Sequence, residues 1–310
     1  MRRASLVTVV TAAVLSFGFP HVALAAPAPV KLVDPPGVQL TPFRNATWVL
    51  YTSNTPAHPN HFDAYAQDLA TKERVKLNTG GQGVAGGFDP TTVNDTAIYQ
   101  QTGTAGSAIY SIDLVTMART KVPGVNSPAD DTDPRISTDY ISFLRTFTQN
   151  KKHFIGVYLY DRSGGPAKRI AQYPATHYLT NGSLGDIYAT WTDCSPVTCS
   201  AFVYDADTSS LKKVPTVKGR PQYAPSVDEG SGMLFFMRSG FACGVQVTFF
   251  EVPVATPGIA PTKIAQLPKG YDTDDEMSIW PDTVSGLDLQ FIKVNCAAGT
   301  TGVYTLPGVT

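Results

Sequence analysis

Charge is scarce in this chain of 310 residues: Asp, Glu, Lys and Arg together make up 16% of it and nearly cancel, at a formal net charge of −1. A faintly acidic, weakly charged surface gives no electrostatic reason to expect nucleic acid as a partner. An amphipathic helical pattern lasting three turns is missing too, while 24 prolines and 26 glycines mark many turns. No G-x-S-x-G elbow occurs; Gly182-Ser183-Leu184-Gly185 and Gly230-Ser231-Gly232 have the wrong spacing. A Ser–His–Asp set drawn from separate loops stays open, but no residue pattern points to one. The glycines at 80, 81, 83, 86 and 87 read as a flexible connector, and with no following helix they form no phosphate cradle.

Only one long apolar run exists, Leu6 to Phe19, preceded by Arg2 and Arg3 and followed by Ala23-Leu24-Ala25. Basic start, short apolar centre and A-x-A exit describe a signal peptide over residues 1–25. Gly18 and Pro20 break the run before the ~20 residues a membrane span needs, and no later stretch is long enough to cross. The expected product is a secreted or extracytoplasmic protein with one domain over 26–310. Cysteines are few but even in number: Cys194, Cys199, Cys243 and Cys296. In an exported chain they imply disulfides. Three pairings are open. The four-residue gap between Cys194 and Cys199 suits a bridge across one hairpin, with Cys243 and Cys296 then joining loops of neighbouring repeats. A metal site is the rival reading, although C-x4-C without nearby histidine is a poor zinc pattern.

What the sequence does contain is a repeat. IYSIDL (Ile109 to Leu114) and VYLYDR (Val157 to Arg162) place an aromatic three residues before Asp. Tyr65 with Asp68 and Phe202 with Asp205 repeat this; Phe250 with Pro253 and Tyr304 with Pro307 keep the aromatic and lose the acid. The six aromatics are spaced by 45, 48, 44, 48 and 54 residues, the period of a propeller blade. Before each comes a β-rich run, such as WVLYTS (Trp48 to Ser53) or MLFFMR (Met233 to Arg238). After it comes a short strand carrying lysine, such as RVKL (Arg74 to Leu77), suited to an outer edge because lysine discourages edge-to-edge pairing. Ahead of each unit lies a Pro- or Gly-bearing inner strand, such as FDPTT (Phe88 to Thr92), DPRIS (Asp133 to Ser137), YAPSV (Tyr223 to Val227) or SIWPD (Ser278 to Asp282). The sixth unit lacks its lysine strand, and VKLV (Val30 to Val33) matches it. The expected fold is therefore all-β: a six-bladed β-propeller of four-stranded blades, its last blade closed by the N-terminal strand.

These units resemble the TolB-type β-propeller repeat family, which carries W-S-P-D-G, then I-x-F, then I-Y-x-x-D, then an outer strand ending R-L-T. The third strand matches well across nearly all of residues 28–310. Of the first turn, APSVDEG (Ala224 to Gly230) keeps Pro, Ser, Asp and Gly. The resemblance implies a fold that hosts many functions.

In such a propeller the loops joining second to third strand, and outer strand to the next inner strand, share one face. His58, His61 and His153 fall in the first kind and His177 just before an inner strand. The acids Asp130-Asp131-Asp133 and Asp272-Asp274-Asp275-Glu276 lie on the same face. Asp133 and Asp282, next to inner strands, are placed to face the channel, with a carboxylate held by backbone N–H groups as the structural alternative; Trp280 starts an inner strand and either packs between blades, like Trp48 and Trp191, or lines the channel. The binding-face candidates are thus His58, His61, His153, His177, Asp131, Asp133, Asp274, Asp275 and Trp280. The expected function is that of a non-catalytic, monomeric propeller binding a protein or peptide through this face, without a cofactor. The alternative is a metal-assisted polysaccharide lyase with a divalent ion at the channel mouth, since imidazoles and carboxylates are its ligands.

Overall fold

The computed structural model describes residues 29–33, 37–92, 95–239, 246–282, 286–295, 297 and 300–307; of 92, 271–282, 286, 287 and 300 it describes the backbone alone. Six antiparallel sheets of four strands follow one another along the chain. In order from axis to edge, blade 1 is Gln39–Arg44, Trp48–Thr55, His58–Asp68 and Arg74–Lys76. Blade 2 is Gln82–Phe88, Thr96–Gly103, Gly106–Asp113 and Arg119–Lys121. Blade 3 is Asp131–Ile136, Tyr140–Gln149, Lys152–Asp161 and Lys168–Pro174. Blade 4 is Tyr178–Leu184, Tyr188–Ser195, Thr198–Asp205 and Ser210–Lys213. Blade 5 is Gln222–Asp228, Met233–Arg238, Thr248–Pro253 and Thr262–Gln266. Blade 6 is Tyr271–Asp282, Gly286–Asn295, Thr300–Leu306 and, from the other end of the chain, Val30–Val33. That last strand pairs Val30 with Thr305 and Lys31 with Tyr304, as the displaced-strand reading requires.

The repeated aromatic has a structural role in every blade. Each one faces an aromatic of the second strand in register: Tyr51 with Tyr65, Tyr99 with Tyr110, Phe143 with Tyr158, Trp191 with Phe202, Phe236 with Phe250 and Phe291 with Tyr304. The rings of these pairs lie 5.5–6.3 Å apart, a favourable stacking distance. On its other side the third-strand aromatic faces a cation of the outer strand: Lys76, Lys121, Arg169, Lys213, Lys263 and Lys31 in turn. The outer-strand lysine therefore does more than blunt an edge. In blade 4 it also sits over the ring, with Lys213 Nζ 5.7 Å from the Phe202 ring centre. The Asp of the motif ends the third strand by accepting backbone N–H groups of the following turn; Asp68 Oδ1 takes Ala70 and Thr71 at 2.7 Å each, and Asp113 Oδ1 takes Val115 and Thr116 at 2.9 and 2.7 Å.

Hydrophobic clusters fill the gaps between neighbouring blades. Ala66, Leu77, Tyr99 and Ile112 join blades 1 and 2, for instance, and Phe249, Leu267, Phe291 and Leu306 join blades 5 and 6. Val33, Val49, Tyr51, Ile292 and Val303 close the ring between blades 6 and 1. Burying one such side chain is worth ~1.5–3 kcal/mol.

Near the axis every inner strand is bulged against its neighbour. In three blades the bulge is a residue of positive φ followed by proline: Thr41 (52°) before Pro42, Asp133 (48°) before Pro134 and Ala224 (47°) before Pro225. A bulge bends and twists its strand, and proline there forfeits no ladder hydrogen bond. Two glycines accept the neighbouring bulge at close range. A Cβ on Gly86 would lie 2.7 Å from Pro134, and one on Gly182 would lie 1.9 Å from the Pro225 carbonyl oxygen.

This corrects the flexible-connector reading of residues 80–87. Gln82–Phe88 is the inner strand of blade 2, and glycine is there because the blades meet too closely for a side chain. FDPTT consequently follows that strand instead of forming it; Pro90–Thr92 is a short 3-10 turn.

Candidate functional site

Strand direction puts the second-to-third and outer-to-inner connections on one face. The histidines lie there, but less loosely than loops would hold them. His58 and His61 belong to the third strand of blade 1, which continues up to the turn, and His153 belongs to that of blade 3. Asn54 pins the blade 1 hairpin, accepting Val38 N–H at 2.7 Å and donating to the Pro59 carbonyl at 2.6 Å. In blade 3, Ala175 N–H donates to the His153 carbonyl at 3.1 Å, which brings the turn carrying His177 against His153.

Two of the imidazoles are paired with carboxylates. His177 Nδ1 donates to Asp193 Oδ1 at 2.6 Å, and its ring stacks on Tyr173 at 6.0 Å. His61 Nε2 lies 3.2 Å from Asp63 Oδ1, which also meets Lys76 Nζ and Asn78 Nδ2 at 2.8 Å each. Burial pushes the Asp63 carboxyl up, but the hydrogen bonds from Lys76 and Asn78 outweigh it and hold it below the ordinary carboxylate value. His153 Nδ1 is hydrogen-bonded to Thr148 Oγ1 at 3.0 Å. A carboxylate behind an imidazole fixes its tautomer, as a general base requires. Among the described residues, however, no hydroxyl or thiol is hydrogen-bonded to His61 or His177 to serve as nucleophile.

The acids divide differently. Asp131 is fully buried, held by Arg145 Nε at 2.6 Å and by Ser127 N–H and Oγ at 2.7 and 3.0 Å. It is a structural carboxylate, not a surface ligand. Asp133 lies in the blade 3 bulge, where its Oδ2 accepts the Asn181 backbone N–H at 2.5 Å, as expected of a carboxylate near the axis. Its Oδ1 meets Arg135 Nη1 at 2.5 Å. Arg135 also donates to the carbonyls of Gly182 (2.7 Å) and Asn181 (2.8 Å) and lies 4.9 Å from the Phe43 ring centre. One buried guanidinium thus ties the inner strands of blades 1, 3 and 4 together at the axis. Asp274, Asp275, Trp280 and Asp282 lie on the inner strand of blade 6, and their side chains are outside the description.

The structure therefore gathers His58 with His61 on blade 1, and His153 with His177 between blades 3 and 4, and leaves Asp131 and Asp133 inside. Among the described residues, no three His, Cys, Asp or Glu side chains form a group able to hold a metal ion. Cys194 and Cys199 are disulfide-bonded across facing positions of the blade 4 hairpin; Cys243 and Cys296 lie outside the described residues.

One feature of this face escaped the sequence reading: a cleft of about 360 Å³ between blades 4 and 5, lined by Arg220, Arg238 and Lys263 with Gln246, Gln266 and Phe250. The signal for it was present. Between Asp207 and Asp228 the chain has no acid, but it has Lys212, Lys213, Lys218 and Arg220.

No protein-family model matches the sequence, and a search of curated proteins finds no match. Solved structures do match in shape. A putative TolB from Agrobacterium tumefaciens aligns with a TM-score of 0.55 at 13% identity, over 89% of this chain and 92% of that one. TolB from Acinetobacter baumannii gives 0.52 at 15% identity over 84% of this chain, which spans 64% of that protein's length. An oligogalacturonate lyase in complex with manganese gives 0.51 at 11% identity, over 92% and 98%. At these identities the likeness is one of fold: a TolB-like propeller, an architecture that lyases and peptidases share.

Proposed function

We propose that the chain is an exported, non-catalytic propeller that binds a protein or peptide partner across the face bearing His58, His61, His153 and His177. The observation that carries this reading is placement. The imidazoles of His61, His153 and His177 are spread over blades 1, 3 and 4, each held by a partner in its own neighbourhood, above inner strands that Arg135 ties together. Such a footprint suits a macromolecular surface, where contacts are distributed, better than a small substrate, which needs convergent groups in one pocket. Exposed Tyr178 and Val197 on the same face add apolar contact area. The TolB-like fold and the Cys194–Cys199 disulfide favour an extracytoplasmic setting, consistent with the signal peptide expected at residues 1–25.

A photo-crosslinking amino acid at exposed Ala57 or Lys151, on the histidine face, tests the reading against the same group at Thr71 or Ser163, on the opposite face. Covalent products in the producing cell's envelope are expected from the first two positions alone. Equal yields from both faces, or none from the histidine face, would overturn it.

A further inference from the structure

Blades 3 and 5 carry an arginine at the same place, two residues beyond the second-strand aromatic: Arg145 after Phe143 and Arg238 after Phe236. Both guanidiniums lie over the stacked pair of their blade, Arg145 at 5.0 and 4.9 Å from Phe143 and Tyr158, Arg238 at 5.1 and 4.7 Å from Phe236 and Phe250. The inner-strand residue opposite each of them differs. In blade 3 the inner-strand residue opposite the arginine is Asp131, whose carboxylate meets Arg145 Nε at 2.6 Å. In blade 5 that position is Gln222, whose amide is turned to the Pro215 carbonyl at 2.7 Å. Arg238 Nη2 reaches the same carbonyl at 3.3 Å, while its Nε is buried with no acceptor. Among the described residues, Arg220, Arg238 and Lys263 form no ion pair.

We propose that the cleft between blades 4 and 5 receives a carboxylate from an acidic peptide segment, gripped by the Arg238 guanidinium together with Arg220 and Lys263, cations that among the described residues have no carboxylate of their own such as Asp131 gives Arg145. The inference rests on the peptide-binding reading above and names where and how such a partner is gripped. A planar guanidinium fork matches a planar carboxylate. Burial also lowers the proton affinity of the Arg238 guanidinium, an effect that a bound anion would reverse. The cleft is within the size range of small-molecule pockets, so it accommodates a side chain or a chain terminus. Gln246, Gln266 and the Thr248 hydroxyl border it and offer partners to the flanking peptide bonds.

The test uses fluorescence anisotropy on the purified chain with a labelled Glu-rich peptide and its Gln-for-Glu counterpart. The acidic peptide is expected to bind at least about tenfold tighter than the amide one. Arg238→Gln should weaken it at least about tenfold, and Lys121→Gln, on the outer strand of blade 2, should leave it unchanged. Lys263→Gln, on an exposed strand, serves as the second cleft variant should Arg238→Gln not fold. Gln222→Glu supplies the blade 3 carboxylate internally and should likewise abolish binding. Equal affinity for both peptides, or equal weakening by Lys121→Gln and the cleft variants, would overturn the proposal. If the acidic peptide fails while one-sided crosslinking persists, the cleft assignment falls and the binding face stands; if both fail, both fall.

Discussion

Arg135 shows how much of this ring can depend on one side chain. It is buried, paired with Asp133, and donates to backbone carbonyls of the next blade. Breaking a buried pair by deleting one member leaves the other charge uncompensated, which typically costs about 3–5 kcal/mol. Arg135→Met is expected to lose that much in urea unfolding, more than any single exposed substitution. Asp63 makes a prediction in pH. Its folded carboxyl titrates below the unfolded value, so its contribution is present above about pH 4 and is lost as pH falls through the folded pKa. Replacing Lys76 by Met removes the cation that lowers it. The unfolding midpoint of Lys76→Met should lie below wild type at about pH 6, and the gap should close as pH falls through the folded pKa of Asp63, below which its carboxyl is protonated in both. A gap independent of pH would show that Lys76 acts by packing alone.

The individual strands explain what could be read in advance and what could not. Second, third and outer strands were legible because each carries a side chain that the blade needs at a fixed register: ring, ring, cation. The inner strand of blade 2 was not. Gln82–Phe88 holds three glycines and reads as a linker, because close approach of Pro134 outranks strand propensity there. Asp131 misled for the opposite reason; a carboxylate in a polar-looking segment is in fact the internal partner of Arg145. The basic cleft draws on four separate segments, and only one of them, the acid-free run that holds Arg220, stands out in the sequence. The N-terminal strand was legible, and it carries a test. Removing residues 29–33 uncovers the Thr300–Leu306 edge and deletes buried Val33. Stability should fall by at least about 2 kcal/mol in calorimetry, and sedimentation should reveal self-association through the freed edge. A monomer of unchanged stability would mean the strand is dispensable.

For the molecule as a ring, what matters is that Val30–Val33 and Thr300–Leu306 are neighbours. A circular permutant joining Pro307 to Pro29 through a short linker, and opened between Gly164 and Gly165, should fold with an unfolding midpoint at or above that of the parent. Both glycines have positive φ and open space around them, and they lie in the turn between the third and outer strands of blade 3. Failure of this permutant would mean that chain order, and not only closure, is required. The seam also dictates a timetable. The piece that completes blade 6 precedes every other blade strand in the chain and its mate follows them all, so until the whole ring is made one ribbon waits and one sheet is unfinished. Locking is a single late step across nearly the greatest separation the chain allows, and such long-range pairings are slow. The interval just before it is when the newborn protein is most exposed to misassembly.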